Sequence, residues 1–343
     1  MKKIKIFAML AAALLSIAGF MSCTKDEEKA DTTALEALLV EAKGLLANAT
    51  AELYPQDAIN TFRTTVNAVD ASLKKGGLSQ ATVTNLMAQL QAAIDSFKAS
   101  AYGDINPANL TMEVTFDAAS SGSFKTTGAH TWDVVPAGGP AEVFGADASA
   151  APTYVAGKVG KAAHFTKGSH FKVTGFDPAS LEGKQLSISV WVNPDKVYAN
   201  NYIISYNYWE SWKFQVQDGS KPFLTLFGDN CVDMDNETDN SAPANTWTHL
   251  AVSVDLTAKT VDFYVNGQLT KAWTDKVSGT IQHVDNGSLL IGACFTIQTA
   301  LTFDWFTPSV DGWGCFYGKL DELKVYNIAL SAGQVAAIYA AEK

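Results

Sequence analysis

Two stretches of the chain, Tyr198 to Trp212 and Phe295 to Gly314, set aromatic side chains beside carboxylates and amides, and an acidic stretch, Asp229 to Asp239, lies between them. A sugar ring offers a C–H face that packs on an exposed aromatic ring, and its hydroxyls hydrogen-bond to amides and carboxylates, so this mixture suits a carbohydrate. Tyr206, Tyr208, Trp209, Trp212, Trp305 and Trp313 are the candidate ligand-binding residues. Trp209, Trp305 and Trp313 stand next to Glu, Asp or Gly and are the ones expected to be exposed. Tyr202, Ile204, Tyr206 and Tyr208 share one face of a strand, where packing is the competing role. No CxxC pair or histidine cluster offers metal-ligand spacing, and His249, on an alternating strand, reads as structural. The net charge of -10, without basic clusters, argues against nucleic acid or anionic lipid as a partner.

Compartment decides what the cysteines do. Lys2, Lys3 and Lys5 precede an apolar run from Ile6 to Phe20, the pattern of an export signal and short for a membrane span. Phe20-Met21-Ser22-Cys23 resembles a lipobox, the site where lipoprotein signal peptidase cuts before an acylated cysteine. Cys23-Thr24-Lys25-Asp26-Glu27-Glu28 resembles the acidic tract that sends lipoproteins of Bacteroidetes-type bacteria to the outer face of the outer membrane. The resemblance implies a signal peptide over 1–22, lipidation at Cys23, an acidic tether over 23–32, and a membrane attachment through lipid alone. Cys231, Cys294 and Cys315 then remain, which allows one disulfide at most. Cys294 and Cys315, with 20 residues between them, are the expected pair in an oxidising compartment. Such a bridge is worth roughly 3 kcal/mol in a chain-entropy account.

The elements that must position these residues fall into two kinds. Over 33–100 apolar residues recur at helical spacing: Leu35, Leu38, Leu39, Ala42, Leu45, Leu46 and Ala49, then Ile59, Phe62, Val66, Val69 and Leu73, then Val83, Leu86, Met87, Leu90, Ile94 and Phe97. Pro55 opens the second run, Lys74-Lys75-Gly76-Gly77 closes it, and Ser79 caps the third. Three short amphipathic helices bury their stripes as a small bundle. ALEALLVEAKGLLANA, Tyr54-Pro55 and LMAQLQAAIDSF resemble the FIVAR-type helical modules of bacterial surface proteins, which implies a spacer. Residues 101–109 read as a linker.

From Leu110 the period becomes two. Ser187 to Val192, Leu250 to Asp255 and Val261 to Val265 alternate, and Asn266-Gly267 marks a tight hairpin turn. The pattern predicts a two-sheet sandwich over 110–343, closed by a short helix over Ser331 to Ala341. GKVGKAAHF (157–165), LSISVWVNP (186–194), NTWTHLAVSVD (245–255), VDFYVNG (261–267), LLIG (289–292) and GKLDELKVYNIALSAGQVAAIY (318–339) occur in one order. Together they resemble the laminin-G-like jelly roll of the concanavalin A-like superfamily. The fold class expected is therefore multidomain, a three-helix bundle followed by an all-β jelly-roll sandwich. Trp191 and Trp247 are expected to pack against the sheets, and Phe295 to Gly314 is long for the corresponding family loop.

The resemblance carries functional expectations. Many such domains hold a structural calcium ion between the first and last strands, and Asp117 and Asp321 match its positions, although the usual downstream Asp-x-x-Gly is replaced by Ala118-Ala119-Ser120-Ser121-Gly122. The hydrolase branch places its two carboxylates on one strand in an E-x-D-x-x-E pattern. Asp233-Met234-Asp235-Asn236-Glu237 lacks that spacing, so no catalytic residue is assigned and a non-enzyme is expected. The leading expectation is a lipoprotein of the outer membrane, facing the cell exterior, that binds carbohydrate for capture or adhesion. The alternative is a structural or protein-interaction component with an envelope protein partner, and the third reading is a glycoside hydrolase.

Overall fold

The computed structural model describes residues 30–50, 54–101, 105–118, 122–309 and 313–343, so Cys23 and the export signal lie outside the described residues. The helical part consists of α1 (Thr33–Ala47), α2 (Gln56–Lys75) and α3 (Gln80–Ala99). Leu35, Leu39 and Ala42 are buried on α1, Ile59, Phe62, Val66 and Val69 on α2, and Val83, Leu90, Ile94 and Phe97 on α3. Those spacings of three, four and seven keep one stripe of each helix out of water. Lys43 of α1 pairs with Asp70 of α2 at 2.5 Å, and Tyr54 stacks on Phe97 at 4.1 Å. The ends form as their residues dictate. Gly76 and Gly77 take left-handed backbone (φ +68° and +67°) after α2, and the Ser79 hydroxyl accepts the Thr82 N–H at 3.3 Å. No helix among the described residues is long and apolar enough to cross a membrane.

The remaining part is a sandwich of two antiparallel sheets. The first runs β14 (Gln268–Thr274), β13 (Thr260–Val265), β12 (Thr248–Asp255), β7 (Gln185–Pro194), β16 (Gly318–Tyr326), β5 (Lys161–Phe165), β4 (Thr153–Ala156), with β1 (Leu110–Val114) also on β16. The second runs β11 (Cys231–Asp235), β10 (Lys221–Phe227), β9 (Trp212–Gln217), β8 (Asn201–Tyr206), β15 (Leu289–Ile291), β6 (His170–Thr174), β3 (Asp133–Ala137), β2 (Phe124–Lys125). Period two decides what lies between the sheets. Leu186, Ile188, Val190 and Val192 of β7 face Trp212, Phe214 and Val216 of β9 across one core.

Neither outer face is left bare. The first sheet turns Ser187, Ser189, Trp191, His249, Ala251 and Tyr264 outward, and the C-terminal helix α6 (Ala332–Glu342) lies over them, burying Val335 and Ile338. Ser187 ties down the segment before α6: its hydroxyl donates to the Ile328 carbonyl at 2.8 Å and accepts the Leu330 N–H at 2.9 Å. The Trp191 indole N–H reaches Glu342 at 2.8 Å, and its ring stacks on Tyr339 at 5.6 Å. Lys324 pairs with Glu322 and Glu342, each at 2.6 Å, and with Glu113 at 3.3 Å. His249 is fully buried with Nε2 2.8 Å from the Ser189 hydroxyl, and burial pulls its ring down to about 3, so it is neutral. The second sheet is covered by the excursion between β15 and β16, which carries the short helix α5 (Ile297–Ala300) and builds a second apolar cluster around Phe295, Cys294 and Trp313.

Candidate functional site

The candidate aromatics arrive on the second sheet's outer face by two routes. A register shift between Tyr202 and Ile204 in β8 separates residues that strict alternation would keep together. Ile204 and Tyr206 face the inner core, and Tyr202 joins Tyr208 in the outer cluster. After β8 the chain turns sharply, with Asn207 and Tyr208 in left-handed backbone (φ +50° and +45°), and a single 3-10 turn over Tyr208–Glu210 carries Trp209 to the edge of that cluster. The second route is the excursion after β15. Phe295 anchors it, with ring centroids 6.0 Å from Tyr208, 5.5 Å from Phe303 and 5.6 Å from Trp313. These edge-to-face contacts are the arrangement that ring quadrupoles favour.

Trp209 and Trp305 are brought together. Their ring centroids are 5.8 Å apart at 73°, and Trp305 stacks on Phe303 at 5.0 Å and 12°. Trp305 is 60% exposed and Trp209 is half-buried, so the pair forms a solvent-facing platform on a rigid base. Beneath it Lys213 of β9 is buried against three rings, with its ammonium 5.1 Å from Tyr202, 5.8 Å from Trp209 and 5.0 Å from Phe223. It donates to Gln215 at 2.8 Å, and burial pulls its pKa below the usual lysine value. Polar groups lie around the platform: Glu210 accepts from the Asn207 amide at 2.7 Å, and Asp233 on β11 accepts from Thr225 at 2.5 Å.

The other candidate residues lie elsewhere. Tyr206 and Trp212 are fully buried between the sheets, where Tyr206 donates to Glu182 at 3.0 Å and Trp212 to the Leu181 carbonyl at 3.1 Å. Trp212 shares its phase with Phe214 and Val216, which sends it inward and removes it as a stacking surface. Tyr208, 8% exposed, and Trp313, 1% exposed, are packing residues of the outer cluster, which corrects the expectation that Trp313 stands free. The expected bridge is also corrected, because Cys294 and Cys315 are separate buried thiols. Ala293, not Cys294, lies opposite Cys315, so the two thiols point apart. Tyr198 donates to the Cys315 sulfur at 3.8 Å, whereas Cys294 sits beside Tyr202 and Ser205. Burial pushes both thiols up, Cys294 to about 12 and Cys315 to about 11, away from thiolate reactivity.

Asp117 and Asp321 both bond the turn between β4 and β5, each to different N–H groups of it. Asp321 accepts the N–H groups of Lys158 at 2.8 Å, Val159 at 3.0 Å and Glu322 at 2.9 Å, and Asp117 accepts that of Lys161 at 2.7 Å. Gly157 and Gly160 permit the approach, since a Cβ would lie 2.5 Å from an Asp321 oxygen at Gly157 and 1.9 Å from an Asp117 oxygen at Gly160. Burial outweighs the amide donors and pushes Asp321 up to about 7. Calcium takes six to eight oxygen ligands; both Asp321 oxygens and one Asp117 oxygen accept N–H groups, and among the described residues no group of three acidic, His or Cys side chains gathers here. Residues 119–121 lie outside the described residues.

Sequence reasoning missed a second opening on this face, across the excursion from the platform. A pocket of about 300 Å³ is lined by His170 and Lys172 of β6, Glu142 of the short helix α4 (Ala141–Phe144), Gln298 of α5, and Trp313. The alternation of His170 and Lys172 was visible, but its partners come from distant parts of the chain.

Residues 165–336 match the concanavalin A-like lectin/glucanases superfamily, in its Laminin_G_3 family, and the chain belongs to that family. No curated protein matches the sequence. Among solved structures, the chain is similar to domain 4 of AbnA, a GH43 extracellular arabinanase from Geobacillus stearothermophilus, solved in complex with arabinotriose. Identity is 23%, the match covers 67% of this chain and 98% of that one, and the TM-score is 0.49. It is also similar to the binding domain of Paraclostridial Mosquitocidal Protein 1, at 15% identity over 68% of this chain and 52% of that one, with a TM-score of 0.46. The receptor binding domain of botulinum neurotoxin mosaic serotype C/D matches at 12% identity over 68% of this chain and 51% of that one, with a TM-score of 0.49. The chain spans about half the length of the two toxin domains it matches.

Proposed function

We propose that the protein is a carbohydrate-binding protein that takes a glycan on the Trp209–Trp305 platform. One observation carries the reading: a tryptophan 60% exposed, yet held flat against Phe303 at 5.0 Å, offers a preorganised apolar face to solvent. Ordering such a face before binding lowers the conformational cost of taking a ligand. The neighbouring Glu210 and Asp233 supply acceptors for sugar hydroxyls, and membership of a lectin and glucanase superfamily supports the same chemistry. On an array of plant, host and microbial glycans, Trp305→Ala should weaken capture about tenfold or more, the loss of one well-placed contact of about 1.4 kcal/mol. Its melting temperature should stay near the parent's, because the ring is mostly in water. Capture unchanged by the substitution removes the platform from the reading.

Surface display is part of the proposal and rests on the N-terminal sequence. Cys23 would carry lipid, and the helical segment would act as a spacer between that anchor and the jelly roll. Labelled palmitate should enter the protein in a Gram-negative host and be lost in Cys23→Ser. Equal labelling of the two proteins rules out the anchor.

A further inference from the structure

The pocket beside His170 has its own chemistry. His170 and Trp313 are 5% and 1% exposed, both rings form its wall with centroids 6.2 Å apart, and each has one nitrogen without a partner among the described residues, Nε2 of His170 and Nε1 of Trp313. The other His170 nitrogen, Nδ1, lies 3.0 Å from the Gly168 carbonyl, which can only accept. That contact puts the proton on Nδ1 and leaves Nε2 a bare lone pair. Burial pulls the ring down to about 4, so it stays neutral at physiological pH. The indole N–H of Trp313 can only donate. A buried polar atom left without a partner costs about 1–3 kcal/mol, so the two together mark a place built for a guest.

The guest must answer both atoms. A carboxylate would accept from Trp313 but face the lone pair of His170, and an ammonium would donate to His170 but leave the indole unanswered. A hydroxyl does both. A second cavity, of about 290 Å³, continues along β6 and shares Lys172 and Thr296, so the pocket opens into a trough at its rim. Lys172 and Glu142, both exposed there, offer a donor and an acceptor to further hydroxyls. The volume is at the lower end of the roughly 300–1,000 Å³ of small-molecule sites.

We propose that this pocket is a second ligand site, one that takes a single hydroxyl-rich ring, such as a free monosaccharide or the end of a glycan chain, with one hydroxyl bridging His170 and Trp313. It shares the carbohydrate chemistry of the platform but none of its residues, so the two can fail separately.

The test reads both at once. Tryptophan indole N–H resonances of the full chain, labelled with ¹⁵N-tryptophan, are followed during addition of D-galactose, L-arabinose, D-mannose or lactose. Trp305→Phe and Trp313→Phe assign the two signals, with sequential assignment as the route should either variant not fold. At least one sugar should move the Trp313 signal to saturation, and His170→Phe should weaken that response about tenfold, as expected for one lost hydrogen bond of about 1.4 kcal/mol. Response to the free sugars points to a monosaccharide, and response to lactose alone to a chain end. A Trp313 signal that none of the four displaces overturns the proposal, even where the Trp305 signal moves, and a response that His170→Phe leaves intact does the same.

Discussion

Lys324→Ala is expected to destabilise the jelly roll by about 3–5 kcal/mol, the usual result of removing one partner from a buried ionic group. Lys324 is 11% exposed in its side chain, and Glu322 and Glu342, at 8% and 10%, have it as their shared counter-ion. Alanine leaves both carboxylates out of water with the compensating charge gone, and it loosens the grip of α6 on the first sheet. The deficit should depend on pH, and its sign follows from Glu342. Burial already pushes that carboxyl up, and Lys324 is what pulls it back. Without the lysine its folded value rises further above the unfolded one. Stability from such a group is full below the unfolded value and is lost as pH rises through the folded value. The variant should therefore be weakest near neutrality and recover toward the parent as pH falls into the ordinary carboxylate range. Urea unfolding of both proteins from pH 8 down to about pH 5 checks this, and a deficit that stays constant would show that the charges are not its source.

Trp313→Ala should cost a comparable amount, about 3–5 kcal/mol by analogy with other buried aromatic truncations. Its ring fills the outer cluster against Phe295 and His170, and the cluster has no other tryptophan in its fully buried part. Trp313→Phe should cost far less. It keeps a ring against Phe295 and surrenders an N–H that no group among the described residues accepts. Because this cluster is separate from the core between the sheets, the damage should appear first as local opening. Limited proteolysis should cut Trp313→Ala within residues 295–313 while hydrogen exchange in β7, β9 and β12 stays slow. Simultaneous loss of both would mean that the two cores unfold as one unit.

What could be read in advance was local. The helical stripes, the Ser79 cap and the Gly76-Gly77 stop formed as written, and Asn266-Gly267 makes a two-residue turn with φ of +50° and +75° between Val265 and its partner Gln268. The two-sheet fold followed from period two along β7, β12 and β13. The candidate site was legible only in part. Trp209 and Trp305 do meet, but nothing local distinguishes Trp305 from Trp313, since exposure depends on how the excursion packs on Phe295. The shift in β8 erased the shared face inferred for Tyr202 and Tyr206, because one extra residue reverses every later side chain. Cys294 and Cys315 had the separation of a disulfide pair, but separation along the chain carries no information about which way two side chains point.

The position of β16 sets the order in which the sandwich can be completed. It sits between β7 and β5 in the first sheet and also pairs with β1, although it is the last strand in the chain. Its Asp321 closes onto amides 163 and 162 residues earlier. A folding chain must therefore leave β7 and β5 each with an unsatisfied edge until β16 enters between them. Late central insertion makes for slow folding and exposes strand edges to other chains in the meantime. Shielding of those edges before β16 arrives is therefore a requirement of folding that the finished fold no longer shows.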